Sequence, residues 1–317
     1  MLTDPQVSAC MVLYHSGEDA LRAARCLQDS TTPAILYVVD NSPKDPTAGR
    51  IRTEYPGATI LQMKKNVGYG AGNNAVLPYL KSRYHIILNP DVTFAPDLIE
   101  RMTDFMNRHP DVAILTPKVL NPDGTEQFLP RRSPSVRYLL GGIRAQRGDR
   151  AGEKAKAMHA RAEAAEEKAV AAWKRAKEKP GITGVLRGNT AELRKSVLEW
   201  RARRLDAKRN HLHAWRDEYT LADIRPTEPT EVQFATGCFM MIRTHTFYRM
   251  KGFDPRFFLY HEDSDLSLSA LRHGKIVYHP EMEVTHDWHR DSSRSVKATW
   301  HHLVSTWKFF HKWGWRW

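Results

Sequence analysis

Ile35-Leu36-Tyr37-Val38-Val39-Asp40-Asn41-Ser42-Pro43 decides the fold. Five apolar residues rich in strand formers run together, then stop on turn residues. Working outward, the same pattern repeats. Val7–Tyr14 is an earlier apolar run, and Asp19–Leu27 between them has helical spacing in Ala20, Ala23, Ala24 and Leu27. Ala58–Leu61 reads as a third strand, Gly70–Leu80 as a helix entered through glycines, and His85–Leu88 as a fourth strand stopped by Asn89-Pro90-Asp91. Asp97–Asn107 follows as a helix and Val112–Leu115 as a strand. This rhythm predicts an α/β fold with a mostly parallel, doubly wound sheet. Ligands of such sheets sit beyond the carboxyl ends of the strands. Chemistry is therefore expected at Tyr14-His15, Asp40-Asn41, Asn66-Val67-Gly68 and Asn89-Pro90-Asp91.

Composition changes at Asp149. From there to Asp217 stand 18 basic and 10 acidic residues, a net of +8. Met158, Ala162, Ala165, Ala169, Ala172 and Ala176 keep a four-three rhythm, and Leu198, Leu205, Leu212 and Tyr219 recur every seven residues. With Lys179-Pro180-Gly181 as a breaker, this predicts an antiparallel helical hairpin packed along an alanine seam. The α/β pattern then resumes: a strand within Glu231–Ile242 that includes Thr236-Gly237-Cys238, a helix end and turn over Arg249–Phe253, a helix over Ser264–His273, and short strands over Lys275–Tyr278 and Met282–Thr285. The expected layout is a catalytic domain of residues 1–147 and 226–299, a basic insertion of 148–225, and an aromatic, basic tail of 300–317.

The 317 residues are 41% hydrophobic and 26% charged, as in globular chains. A net charge of +12 points to a polyanionic partner without choosing one. The glutamates within the hairpin argue against a phosphate-tracking stripe, so nucleic acid is not expected. Cys10, Cys26 and Cys238 lack metal-ligand spacing and fit a reducing compartment. Asp4 and Pro5 stand where an apolar leader would begin, and no run of about 18 apolar residues occurs. The expected location is cytoplasmic, peripheral on the inner face of the plasma membrane. Trp300–Trp317 mixes aromatic and basic residues with no acid, which suits either a membrane interface or ordinary packing of a terminal helix. The hairpin is the other candidate for membrane contact.

Several residues can carry chemistry. Asp40 can accept the imide N–H of a pyrimidine or simply close an Asx turn. In Asn66-Val67-Gly68-Tyr69-Gly70-Ala71-Gly72-Asn73-Asn74 the glycines permit close backbone approach to a ligand, ahead of free helix N–H groups. Asp91 suits a hard divalent cation bridging to phosphates; Asn89 is a weaker ligand. Glu262-Asp263 opens a helix, where capping alone would favour carboxylates, but a buried Asp263 can act as general base. His286, after a short strand, can complete a metal site.

These segments, in this order, resemble family 2 glycosyltransferases of the GT-A fold, and the bacterial rhamnosyltransferase branch among them. The resemblance rests on Val38–Ser42, Asn66–Asn74, Leu88–Asp91, Thr236–Met240, Gly252–Phe258, Glu262–Leu266 and Val284–His286. It implies a nucleotide-diphosphate sugar donor, with deoxythymidine-diphosphate rhamnose the first choice, and a glycan or lipid-linked glycan acceptor. It implies Mg²⁺ or Mn²⁺ at Asp91 with His286, the nucleotide along Tyr14, His15, Asp40, Asn41, Asn66, Gly68, Gly72, Asn73 and Asn89, and an inverting displacement with Asp263 as base and Glu262 beside it. The helical insertion departs from the family pattern. Two other classes compete: a nucleotidyltransferase, disfavoured because Tyr14-His15-Ser16-Gly17-Glu18 is not a basic glycine-rich loop, and a basic scaffold protein.

Overall fold

A computed structural model describes residues 6–42, 45–129, 131–178, 182–287 and 296–317, without the side chains of 296–298. Pro43, the breaker Lys179-Pro180-Gly181 and the leader position at Asp4-Pro5 lie outside these. The described chain divides into two compact units. One runs to Pro134 and resumes from Tyr219 to Arg316; the other is Ser135–Glu218 with Trp317.

The first unit is built on a nine-stranded mixed sheet. Strands β1 (Val7–Leu13), β2 (Ala34–Asp40), β3 (Thr59–Gln62) and β4 (Tyr84–Leu88) are parallel, in the order β3-β2-β1-β4. The sheet then reverses. β8 (Phe239–Arg243) lies antiparallel between β4 and β6 (Val112–Leu120), and β9 (Lys275–His286) runs parallel to β6. The end of β9 pairs with β5 (Val92–Phe94), and its first half with β7 (Thr230–Val232), both antiparallel. All seven residues of β1 are buried, so both sheet faces are covered, and the core splits into one apolar cluster on each face.

Helices α1 (Gly17–Gln28) and α4 (Leu98–Arg108) bury Leu21, Leu27, Ile99 and Met102 against one face. Helix α2 (Thr47–Glu54), which the periodicity does not reveal, starts where Asp45 accepts the Thr47 N–H at 2.9 Å. The expected helix over Gly70–Leu80 is shorter: α3 covers Tyr69–Asn74, and a 3₁₀ turn covers Leu77–Tyr79 around Pro78. Proline lacks the N–H that would carry an α-helix through that turn. Likewise Thr236-Gly237-Cys238 is not inside a strand but forms the turn between β7 and β8. The two short strands expected over residues 275–285 are one, because β6 skips residues 280–282, with Pro117 opposite His279 and Lys118 opposite Glu283. Pro280 sits in that bulge, where a missing N–H breaks no ladder bond.

Arg243, where β8 passes into helix α7 (Thr244–Arg249), pins this frame. Its buried guanidinium donates to the carbonyls of Val112 (2.7 Å), Met106 (2.7 Å) and His109 (2.9 Å), joining α4 to the start of β6. Arg243→Met strands three carbonyls and is expected to lower stability by about 3 kcal/mol, read as a lower denaturation midpoint in urea.

The second unit is a pair of long helices, α5 (Val136–Glu178) and α6 (Ile182–Thr220). Ala145, Ala151, Ala155, Ala162, Ala165 and Ala169 form a buried seam on α5, and Ala202 is buried on α6. Glu166 pairs with Lys195 at 2.7 Å and His159 with Asp206 at 3.0 Å, so partners run in opposite order along the chain and the helices are antiparallel. Glycines allow the close approach: a Cβ on Gly148 would meet His213 at 2.3 Å, and one on Gly184 would meet Ala176 at 2.8 Å.

Candidate active site

The parallel register carries the ends of β1, β2 and β4 to one edge, with Leu13 opposite Asp40 and Met11 opposite Leu88. Asp40 is buried there and already engaged. Its Oδ1 accepts the Ser42 N–H at 2.8 Å and its Oδ2 accepts the Gln62 side-chain amide at 3.1 Å. The Asx turn is therefore real, and any ligand of Asp40 has to share that carboxylate. Asn41 is held by its N–H to Leu13 O (3.0 Å) and its Nδ2 to Gly68 O (3.1 Å), while its buried Oδ1 has no hydrogen-bond partner. Tyr14 and His15 stand exposed beside this turn, His15 with φ of 53° and its N–H on Ser42 Oγ.

The glycine-rich stretch serves the protein before any ligand. Gly68 has φ of 92° and ψ of 172°, a region open essentially to glycine alone. A Cβ there would meet Phe258 O at 2.4 Å; one on Gly70 would meet Phe253 at 2.9 Å, and one on Gly72 would meet Val12 at 2.8 Å. The N–H groups are also committed, Gly68 to Asn66 Oδ1 (2.9 Å) and Tyr69 to Phe258 O (3.1 Å). Asn73 donates to Tyr69 O (3.1 Å) and keeps a buried Oδ1 without a hydrogen bond. Gly68→Ala meets both backbone strain and a carbonyl that cannot yield, and is expected to cost about 3 kcal/mol, measured by thermal unfolding.

Asp91 and His286 meet because β5 pairs β9 with Val92 opposite His286. Asp91 Oδ1 lies 3.3 Å from His286 Nε2 and has no hydrogen bond. On the far side of the ring, His286 Nδ1 is 3.3 Å from Gln127 Oε1, while Gln127 Nε2 donates to His286 O at 2.7 Å. An amide oxygen at Nδ1 favours the tautomer protonated there, which leaves the Nε2 lone pair facing a carboxylate oxygen. Two lone pairs at that separation fit a cation between them. Among the described residues no cluster of three or more His, Cys, Asp or Glu side chains could hold a metal, so the remaining donors for a divalent ion would have to come from substrate or water. A cavity of about 150 Å³ opens beside Asp91, lined by Asp19, Arg22, Thr93, Pro122, Thr285 and Asp287. Asn89 holds the approach through its N–H to Cys238 O at 2.8 Å.

Glu262 and Asp263 open α8 (Glu262–Ala270), reached through two left-handed residues, Tyr260 (φ 69°) and His261 (φ 63°). Asp263 is half-buried; its Oδ1 accepts the Ser264 N–H at 2.8 Å and its Oδ2 the Gly237 N–H at 3.2 Å. Glu262 is buried, and its Oε2 has no hydrogen bond. Burial, and then the charge of Asp263, push Glu262 up to about 8. Burial also raises Asp263, against the pull of its N–H donors. Two adjacent carboxylates in a dry site cannot both ionise easily. The N–H donors decide which does: Asp263 carries the charge and Glu262 the proton. Burial pushes the Cys238 thiol up to about 12, with the charges of Asp91 and Asp263 both adding, so Cys238 is no nucleophile.

Some supporting residues give no signal in the sequence. Gln127 sets the ring of His286 from a loop. Tyr69 donates to Gly237 O at 2.6 Å, steadying the turn that binds Asp263. Helix α9 (Val296–Trp313) braces the approach to α8: Ser305 Oγ donates to Leu259 O (2.8 Å), Thr306 Oγ1 lies 3.0 Å from His261 Nε2, and Trp313 Nε1 donates to Asp265 (2.7 Å). Burial, with His302 adding, pulls His261 down to about 4, so it is neutral.

Residues 8–164 match the profile of Glycosyl transferase family 2. An N-acetylglucosaminyl-diphospho-decaprenol L-rhamnosyltransferase of Mycobacterium tuberculosis (strain ATCC 25618 / H37Rv) is 24% identical over 288 residues, 87% of this chain and 74% of its own length. Rhamnosyltransferase WbbL of Escherichia coli (strain K12) is 38% identical over 82 residues, which are 25% of this chain and 31% of that protein. Among solved structures, the mannosyltransferase PcManGT from Pyrobaculum calidifontis, in complex with GDP-Man and Mn2+, superposes with a TM-score of 0.55 at 10% identity. That match covers 98% of this chain and 65% of the other, just under two thirds, and speaks for the fold alone. With the reversed sheet and the carboxylates at its strand ends, these matches place the chain in glycosyltransferase family 2, on a GT-A fold.

Proposed function

We propose that the protein transfers L-rhamnose from deoxythymidine-diphosphate rhamnose to a lipid-linked glycan in cell-surface polysaccharide synthesis, inverting the anomeric carbon. The observation that carries the catalytic part is the Glu262–Asp263 pair, buried at Glu262 and half-buried at Asp263, whose hydrogen bonds leave Asp263 as the ionised member. Asp263 Oδ1 and Oδ2 keep lone pairs for an acceptor hydroxyl, and as that oxygen attacks C1 the proton passes to Asp263. A single displacement needs this one base and no protein nucleophile, which inverts C1. The sugar and acceptor are drawn from the names of the two rhamnosyltransferase relatives, one of which acts on a diphospho-decaprenol-linked sugar.

Asp91 and His286 would hold Mg²⁺ or Mn²⁺. A divalent ion there supplies charge neutralisation for the departing diphosphate. Asp40, Asn41, Tyr14 and His15 form the ledge for the nucleoside. Asn41 and Asn73, each with an unsatisfied buried oxygen, are ready to accept from it. Asn66, Gly68 and Gly72 shape the ledge from behind, and Asn89 borders it on the β4 side. A lipid-linked acceptor would put the action at the inner membrane face; among the described residues no helix is long and apolar enough to cross a bilayer.

The test is release of nucleoside diphosphate by the purified protein from a panel of nucleotide sugars, with and without Mn²⁺ or Mg²⁺. Metal-dependent release of thymidine diphosphate, raised by a lipid-linked glycan acceptor, is the expected result. Preference for a uridine or guanosine donor would overturn the rhamnose assignment. Release of pyrophosphate would overturn the reaction class.

A further inference from the structure

Five of the nine tryptophans lie in residues 300–317. Helix α9 turns one face to the protein, burying Ser305, Thr306, Phe309 and Phe310. The opposite face is apolar where solvent would predict polar residues. Trp300 is 65% exposed, Leu303 59% and Trp307 57%, aligned at three- and four-residue steps, and His311 continues the stripe with its ring stacked on Trp307 at 5.1 Å. Trp315, 62% exposed, extends the surface past the helix end. A contiguous aromatic face of this kind marks an interaction site.

The charges around it select the occupant. No acid occurs from Trp300 to Trp317. The acids that approach α9 from the protein, Asp254 and Asp265, are ion-paired with Lys312 at 2.7 Å each, and Asp254 also with Arg256 at 2.5 Å. Among the described residues the surface thus offers tryptophan and leucine beside Lys308, whose ammonium donates to Arg256 O at 2.7 Å, and the exposed Arg316, with both nearby aspartates already ion-paired. That combination suits the headgroup region of an anionic bilayer, where indole rings sit at the boundary and cations meet lipid phosphates.

We propose that α9 docks the protein on an anionic membrane surface through Trp300, Leu303 and Trp307. Its inward face ties this stripe to the candidate site. Ser305, Thr306 and Trp313 bond to Leu259, His261 and Asp265, which flank Glu262-Asp263. Docking therefore holds the base about one helix diameter, roughly 10 Å, from the lipid headgroups. A sugar carried on a lipid diphosphate lies at that height. The functional half of this inference rests on the lipid-linked acceptor proposed above; the docking itself does not.

The experiment is co-sedimentation of the full chain with vesicles of phosphatidylcholine, with and without phosphatidylglycerol, beside calorimetric binding of thymidine diphosphate. The wild-type chain should bind the anionic vesicles, with a blue shift of tryptophan emission. The triple variant Trp300→Ser, Leu303→Ser, Trp307→Ser should lose about tenfold or more of its vesicle partition. Its nucleotide affinity should be unchanged, which also shows that it folds. Equal vesicle binding by the variant would overturn the proposal and move the contact to the apolar stripe of α6, where Ile182, Leu186, Leu193 and Trp200 are exposed. A wild-type dimer that the variant dissolves, without vesicle binding, would overturn it in favour of a second copy. Vesicle binding without nucleotide binding would leave docking standing and sink the transferase reading instead.

Discussion

Asp263→Asn should lower the transfer rate by about a thousandfold while leaving donor affinity within about twofold. The amide keeps the size of the carboxyl group, but its single oxygen can replace only one of the two that accept the N–H groups of Gly237 and Ser264, so the nucleotide-binding control also reports whether the turn holds. What it lacks is a site for the acceptor proton. Glu262 is a poor replacement, because burial, the larger cause of its raised pKa, persists in the variant. The measurement is steady-state transfer to acceptor, with nucleotide binding by calorimetry as control; a variant within tenfold of wild type would remove Asp263 from the base role.

The pair also makes stability depend on pH, and the sign is fixed. Glu262 has a folded pKa of about 8, above that of an exposed carboxylate. A raised pKa means that the folded state holds the proton more tightly. Its contribution is complete below the ordinary carboxylate range and is lost as pH rises through about 8. Glu262→Gln, which cannot ionise, should flatten that decline in the denaturation midpoint between about pH 5 and 8. An unchanged slope would mean that Glu262 is already charged in the folded protein.

The reason for the split between what the sequence revealed and what it concealed lies in the range of each interaction. Strands such as Val7–Leu13 and Ala34–Asp40 are continuous apolar runs with turn residues after them, and both cues are local. The carboxyl-end rule then locates Asp40, Asn89 and Asp91 at one sheet edge. The reversal at β8 is invisible in such cues, since Phe239–Arg243 has the same composition whichever way it runs. The bulge at Pro280 looked like a break between strands because proline is read locally, whereas the partner strand absorbs it. The glycines of the 66–74 stretch were legible as close-approach positions, but the groups approaching are Phe258, Phe253 and Val12 of the same chain. Gln127 was concealed altogether: a lone glutamine acquires its meaning only when β9 brings His286 against it.

Asp91→Ala is expected to abolish the metal-dependent part of nucleoside-diphosphate binding and to lower transfer by at least about a hundredfold, the scale of several kcal/mol for charge stabilisation at a leaving diphosphate. The structural argument is the confrontation of Asp91 Oδ1 and His286 Nε2 at 3.3 Å, with Gln127 fixing the far nitrogen. In the variant one of two protein donors is gone, and His286 alone cannot retain a hard cation that prefers oxygen. Binding measured without metal should be unchanged, because Asp40, Asn41 and the ledge around them do not touch Asp91. That difference separates loss of a ligand from loss of fold. Gln127→Leu supplies a graded check. It leaves both donors present but releases the imidazole, and a disturbed outer contact typically weakens metal affinity by about 10- to 100-fold. Metal titrations monitored by nucleotide affinity should therefore rank the wild type above Gln127→Leu, and Gln127→Leu above Asp91→Ala. Equal metal response in all three would place the cation elsewhere, on donors that the Asp91–His286 pair does not include.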